Sequence, residues 1–292
     1  MINEPFDYVK YLDAKKTIDD RSLNTEVWRE FSSWLVALKN QKESLQIMEI
    51  GAGIGTMIER LLDASLLGNC CYTALEPEAS FKQAAKHRLQ RWAELHQIKF
   101  TELTEDSWLL RGGEIQLNIK WFVEQAENIG ILFKDGSFDL LLSHAVIDLL
   151  PVPDIMPIIL RKLRNQGAYY YSLNFSGSTK FYPEHQNDEL IIRYYHEDMD
   201  KRFPELDWKP SLTGLELPGY LKQHDCIPVA DGDSTWKLGE HDKLFIGNII
   251  ETINKALQGL PELDAWFTER CEQHENGQLR LEISNGDCFG LK

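Results

Sequence analysis

The chain has 292 residues, 43% of them hydrophobic, enough to bury one large core or a core and a small cap. Its 46 acidic and 31 basic residues leave a formal net charge of −15, and no run of Lys and Arg exceeds two, which argues against a nucleic-acid substrate and a polybasic membrane contact. No apolar run reaches membrane-spanning length, Met1-Ile2-Asn3-Glu4 does not open a signal peptide, and five cysteines without a C-x-x-C pair read as reduced thiols of a cytoplasmic protein.

In chain order, residues 1–44 precede the first strand and form a helical leader. Leu23, Val27, Phe31, Trp34, Leu35 and Leu38 recur at helical spacing and predict an amphipathic helix packed on the body. Leu45–Ile50 is an apolar run of strand length, Gly51-Ala52-Gly53-Ile54-Gly55 follows, and Met57, Ile58, Leu61 and Leu62 share one helical face. Gly68 stands where a left-handed cap would close that helix. Strand, glycine turn and helix open an α/β nucleotide-binding fold, because glycines allow a sharp turn and let a ligand approach main-chain atoms. The G-x-G-x-G spacing lacks the third glycine of the dinucleotide fingerprint. The preceding acid, Glu49, suits a cationic ligand and would repel a pyrophosphate.

Cys70–Leu75 is the second strand, ending in Glu76-Pro77-Glu78, with Glu76 standing 21 positions after Gly55. A carboxylate there is placed to accept ribose hydroxyls, although acids also favour a helix first turn. A helix is predicted from Ala79 to about Gln97. Two β-like runs, Ile98–Leu103 and Glu114–Phe122, surround Arg111-Gly112-Gly113 as a hairpin-like elaboration. Phe138–Ser143 is the fourth strand, with His144 at its carboxyl end, where α/β sheets bind ligands. Asp148–Asp154 breaks the chain, Ile155–Arg164 is a helix and Ala168–Phe175 the fifth strand. Residues 176–213 read as a cap insertion. Leu215–Gln223 is a helix and Ile227–Ala230 a strand. Asp231-Gly232-Asp233 lacks the remaining spacing of a calcium loop and reads as a β-turn. Extra helices over about 240–274 precede a last strand, Gln278–Ile283.

E-I-G-A-G-I-G (Glu49–Gly55) resembles motif I of the class I S-adenosylmethionine (SAM) dependent methyltransferases. Residues 123–143, with Q-A-E-N and S-F-D-L-L-L-S, are similar to the segment D-A-E-N…S-F-D-L-V-x-S of the ubiquinone/menaquinone-biosynthesis-type enzymes. The resemblance covers about residues 45–175. It implies a doubly wound, seven-stranded, mostly parallel sheet, with residues 45–292 as the SAM-binding domain. It also assigns Glu49, Gly51, Ala52, Gly53 and Gly55 to the methionine and ribose part of the cofactor, and Glu76 with Pro77 to the ribose. Gln125 and Ala126 are assigned to the adenine, where Gln125 replaces the usual acid and offers an uncharged acceptor. Ser143 falls beside the transferred methyl. Leaders such as residues 11–21 often fold over the cofactor in this class; the alternative is a helix end in solvent.

Methyl transfer from a sulfonium demands alignment above all, and a base when the acceptor is a hydroxyl or an ammonium. His196 and His144 are the candidates for that role. The alternatives are a cofactor-packing role for His144 and a solvated helix face for His196. Tyr11, Tyr195, His196 and Arg202 are candidates for acceptor contact, and Arg21 and Arg202 for a clamp on a carboxylate or else for surface ion pairs. The expected reaction moves a methyl from SAM to oxygen or nitrogen of a small molecule, leaving S-adenosylhomocysteine. No metal ligand set is identifiable. The extra C-terminal helices are open to two readings, a pocket wall or an interface such as that of a homodimer. The rival functions are an NAD(P)-dependent oxidoreductase and a non-catalytic SAM-binding scaffold.

Overall fold

The apolar run Leu45–Ile50 forms the strand β1 at the middle of a ten-stranded sheet. The computed structural model describes residues 7–292. Two helices lead in, α1 (Tyr8–Ser22) and α2 (Thr25–Gln41). Asn24 separates them and accepts from the amides of Glu26 and Val27, satisfying donors that the first turn of α2 cannot. After β1 come α3 (Thr56–Asp63), β2 (Asn69–Leu75), α4 (Ala79–Leu95), β3 (Lys99–Thr104), β4 (Ser107–Gly112) and β5 (Ile115–Phe122). Next are α5 (Ile129–Leu132), β6 (Phe138–His144), α6 (Val152–Arg161) and β7 (Leu163–Tyr182). The chain ends with α7 (Asp188–Asp200), α8 (Thr213–Gln223), β8 (Ile227–Asp233), β9 (Trp236–Leu238), α9 (Lys243–Ala256), α10 (Leu263–Glu275) and β10 (Arg280–Leu291).

The sheet order is β3-β4-β5-β2-β1-β6-β7-β10-β8, with β9 paired to β10. Strands β5, β2, β1, β6 and β7 are parallel; β10, β8 and the β3–β4 hairpin run antiparallel to their neighbours. Alternation along β1 divides the core. Leu45 and Ile47 face the cluster that includes Val27, Phe31 and Leu35 of α2 and the apolar side of α3. Met48 and Ile50 face Ile155, Met156 and Ile159 of α6 and Leu217 and Leu221 of α8. Helices therefore cover both faces, as a central parallel sheet requires. Phe31, fully buried, stacks on Tyr170 at 4.4 Å; burying such a ring is worth about 2 kcal/mol.

The seven-stranded expectation is met and exceeded by three strands. Trp108 and Leu110 alternate inward and pull Ser107–Gly112 into the sheet as β4, a third strand between the two runs of the expected hairpin-like elaboration. Strand β7 continues seven residues past Phe175 because β10 pairs with it as far as Arg280↔Tyr182. The start of the expected cap is thus strand, and β10 is longer than foreseen. Asp231-Gly232-Asp233 is no turn but the end of β8, paired to Gly286–Cys288. Gly232 leaves room for the Asn24 amide, which donates to Asp233 O at 2.9 Å. The first Rossmann helix also ends before Gly68: Ala64 caps α3, and Ser65 takes the left-handed conformation at φ 57°.

A third apolar cluster lies apart from the two faces. Ile18 of α1, Phe175, Phe181 and Ile283 of the β7–β10 ribbon, Ile191 of α7, Phe245 and Ile250 of α9 and Trp266 of α10 pack together. Two segments far apart in sequence, the insertion after strand five and the extra helices, so become one layer with the leader helix.

Candidate active site

The glycine loop follows β1 with Gly51, Gly53 and Gly55 all at positive φ (72°, 53° and 76°). At Gly51 a side chain would collide with Val146, whose Cγ2 lies 2.4 Å from the position of a Cβ. Around Gly53, among the described residues, only Leu12 of α1 comes within 4 Å of that position, at 3.7 Å, so the leader helix overlies the loop. The carbonyl of Leu75 accepts from the amides of Gly51 (2.8 Å) and Ala52 (3.1 Å). Glu76 accepts from Gly53 N through Oε2 (2.8 Å) and from Glu78 N through Oε1 (3.0 Å). The tips of β1 and β2 are thereby locked to each other. Burial raises the Glu76 pKa against those two amide bonds.

Glu49 is 1% exposed and accepts from the Tyr72 hydroxyl at 2.8 Å. Burial pushes its pKa up to about 8, against the opposing pull of Tyr72 and Arg60, so the carboxyl is largely protonated at neutral pH. Ser143, fully buried, turns its hydroxyl to Ile50 O (3.1 Å) and pins β6 to β1. Ala126 is buried behind the 3₁₀ turn Ala126–Asn128, while Gln125 and Pro77 are exposed at the rim.

His144 ends β6 with both ring nitrogens engaged. Nδ1 meets Ser172 Oγ at 2.7 Å and Nε2 meets Asp19 Oδ2 at 3.1 Å. Asp19 also binds Lys15 at 2.7 Å, all within a buried cluster. Burial, followed by the field of Arg60, pushes the His144 pKa down to about 4. For Asp19, Lys15 and then His144 outweigh burial and hold its pKa at about 2. At neutral pH the ring is therefore neutral, donating to Asp19 and accepting from Ser172. Two further ties fix α1: Asp13 to Arg88 and Asp20 to Arg60.

Arg21 does not join this group. It pairs with Asp242 at 2.7 Å and donates to Lys237 O at 3.2 Å, fastening α1 to the segment before α9. Tyr11, Tyr195, His196 and Arg202 do fall beside one another under the cap. Tyr11 stacks on Phe245 at 5.2 Å. Tyr195 lies within the fields of Arg202 and Asp148, and burial raises its pKa. The His196 ring meets Phe175 edge-on at 5.1 Å, and its Nε2 is buried without a protein partner. Burial lowers its pKa, so it is held neutral. Arg202 donates to Asp148 O at 3.1 Å.

Sequence reasoning missed Lys15, Asp19 and Asp148. The spacing Lys15/Asp19 beside Lys16/Asp20 was a readable pair of i,i+4 ion pairs. Asp148, four residues after the end of β6, carried no motif signal. Among the described residues, no group of three His, Cys, Asp or Glu is arranged to hold a metal.

A strand, a glycine loop and an acid at the tip of the second strand, on a doubly wound sheet, define a class I methyltransferase. The chain belongs to the family described as “Putative S-adenosyl-L-methionine-dependent methyltransferase”, whose model matches residues 28–274. Its cofactor is SAM, and it is a SAM-dependent methyltransferase. Among solved structures it is similar to one described as a putative methyltransferase from Bacillus halodurans C-125, with TM-score 0.52 and 10% identity over 89% of this chain and 98% of that one. It is also similar to a putative sarcosine dimethylglycine methyltransferase from Galdieria sulphuraria (TM-score 0.45, 13% identity, 90% of this chain, 85% of that one). A third is geranyl diphosphate C-methyltransferase from Streptomyces coelicolor A3(2), solved with geranyl diphosphate and S-adenosylhomocysteine (TM-score 0.40, 10% identity, 99% and 85%). Comparison with curated protein sequences gives no match.

The residues present fit the cofactor. Three glycines expose loop backbone, Leu12 alone among the described residues comes near the Cβ position of Gly53, and Glu76 holds the Gly53 amide at the tip of β2. No described helix is long and apolar enough to cross a membrane.

Proposed function

We propose that this methyltransferase acts on oxygen or nitrogen of a small molecule held between the tips of β6 and β7 and the cap. The observation that carries this reading is the cap itself. Helices α1, α7, α9 and α10 share one apolar cluster over the β7–β10 ribbon, and the candidate acceptor residues Tyr11, Tyr195 and His196 pack against it. A covering layer rich in aromatic side chains suits a metabolite better than a macromolecular chain.

When bound, SAM supplies a methyl group on a positively charged sulfur. In this reading the loop Gly51–Gly55 with Glu49, Glu76 and Pro77 holds the cofactor's methionine and ribose, and Gln125 with Ala126 its adenine. His144 acts through Asp19 and Ser172 to position the leader over that site, because neither of its nitrogens is free to take a proton. His196 offers the acceptor a hydrogen bond from a neutral ring, and Arg202 closes the rim. Alignment under a water-excluding cover is the main contribution asked of the protein.

The test is incubation with methyl-labelled SAM and a protein-free, nucleic-acid-free metabolite extract. A labelled low-mass product is expected. Label entering only when protein or RNA is restored would overturn the small-molecule reading.

A further inference from the structure

Asp148 sits in the 3₁₀ turn Ile147–Leu149, directly after β6. Its Oδ2 accepts from Phe175 N at 3.3 Å, which holds the carboxylate against β7. Its Oδ1 is shut off from solvent and has no partner. A buried acceptor without a donor is costly to the fold and calls for a partner that the protein itself does not supply. The orphan is not isolated. His196 Nε2 on α7 and Asn174 Nδ2 on β7 are also buried and unpaired, and the ring of Phe175, whose amide binds Asp148, is the ring that His196 meets.

The charged side chains whose fields reach Asp148 are Arg202 and Lys15. Arg202 follows α7 and binds the Asp148 carbonyl, Lys15 reaches from α1 and is neutralised by Asp19, and Tyr195 lies on α7. None of them donates to Oδ1.

We infer that Asp148 Oδ1 receives the hydrogen of the acceptor's nucleophile, so that the acceptor atom is a hydroxyl oxygen or an amine nitrogen that still carries a proton. This rests on the small-molecule reading above and adds the group that takes the proton. The nucleophile's lone pair forms the new bond to the methyl carbon, and the carbon–sulfur bond breaks with its electrons staying on sulfur. The X–H proton passes to Asp148, which returns it to solvent after release. A carboxyl whose pKa is raised by burial, with Phe175 N and then Arg202 opposing, is a stronger base than one in water.

The experiment uses methyl-labelled SAM and the metabolite extract with wild type, Asp148→Asn and Asp148→Glu. Asparagine at this position is expected to cut labelling at least ~100-fold, the usual contribution of a general base, while the S-adenosylhomocysteine dissociation constant stays within about twofold. The glutamate variant is expected to recover part of the rate. Wild-type labelling should rise with pH as Asp148 ionises, and the asparagine variant's residual rate should not. Equal labelling by wild type and Asp148→Asn across pH would overturn the assignment and leave the small-molecule reading standing. No low-mass product from wild type would overturn both. A further readout is independent of how well the variants fold: mass and NMR analysis of the wild-type product should place the methyl on oxygen or nitrogen, and a methyl on carbon or sulfur would refute the inference.

Discussion

His144 Nε2 lies 3.1 Å from Asp19 Oδ2, a bond across 125 residues that ties the tip of β6 to the leader helix. Because Lys15 shares the same carboxylate, removing Asp19 strands a buried ammonium and a buried imidazole together. Asp19→Ala is expected to lower stability by about 3–5 kcal/mol, the cost of breaking a buried pair from one side. Urea denaturation of the two proteins measures it. A loss below about 1 kcal/mol would mean that the cluster adapts without Asp19.

Much of the cofactor end of the fold was legible before any coordinates. Glu49, the three glycines and Glu76 belong to one short stretch whose geometry is set by local turn chemistry, and local rules read well from sequence. The pairs Arg21–Asp242 and His144–Asp19 were not legible, since they join residues 221 and 125 positions apart. Of the two readings open for Arg21, a carboxylate clamp or an ion pair, the structure shows the ion pair, with Asp242. The overrun of β7 was hidden for a similar reason. Residues 176–182 are polar and aromatic, and only pairing with a strand a hundred residues later makes them extended.

Gly53, proposed above to lie along the cofactor, takes φ 53°, and among the described residues only Leu12 comes within 4 Å of its Cβ position. Gly53→Asp is expected to weaken S-adenosylhomocysteine binding at least ~100-fold while costing the fold only about 1–2 kcal/mol of backbone strain. Calorimetric titration together with a melting curve separates the two effects. Gly51→Ala should instead lose stability first, because its Cβ would fall 2.4 Å from Val146.

Glu49 gives a pH dependence of definite sign. The unfolded chain ionises this carboxyl near 4.5 and the folded protein near 8, so the native state binds the extra proton between those values. Its contribution is complete below pH 4.5 and is lost as pH rises toward 8. Each tenfold difference in proton affinity is worth about 1.4 kcal/mol. Melting temperatures of Glu49→Gln should therefore fall less than those of wild type between about pH 5 and 8, roughly the interval spanned by the two pKa values. His144 works in the opposite direction at lower pH. Its pKa drops from 6.5 to about 4 on folding, so stability is lost as pH falls from about 6.5 toward 4. Parallel melting curves for wild type and Glu49→Gln would contradict the buried, protonated carboxyl.

The cap has its own anchor. Arg270, fully buried on α10, donates to both oxygens of Asp188 (2.5 and 2.6 Å) and to Pro183 O (2.8 Å). Asp188→Ala is expected to destabilise by about 3–5 kcal/mol. Hydrogen exchange should show faster exchange first in α7 and α10, with the strands β1, β2 and β6 protected as in wild type. Uniform loss of protection would show that cap and sheet open as one unit.

The overhang of β7 and β10 past the last β6 pairing at Ser172 has a consequence for diversification. Helices α7, α9 and α10 hang from a boom of β7, β10 and β9 projecting beyond the parallel sheet, whereas the glycine loop and Glu76 belong to the sheet's interior. Changes along that boom are free to alter the covering helices while the strand tips below stay as they are.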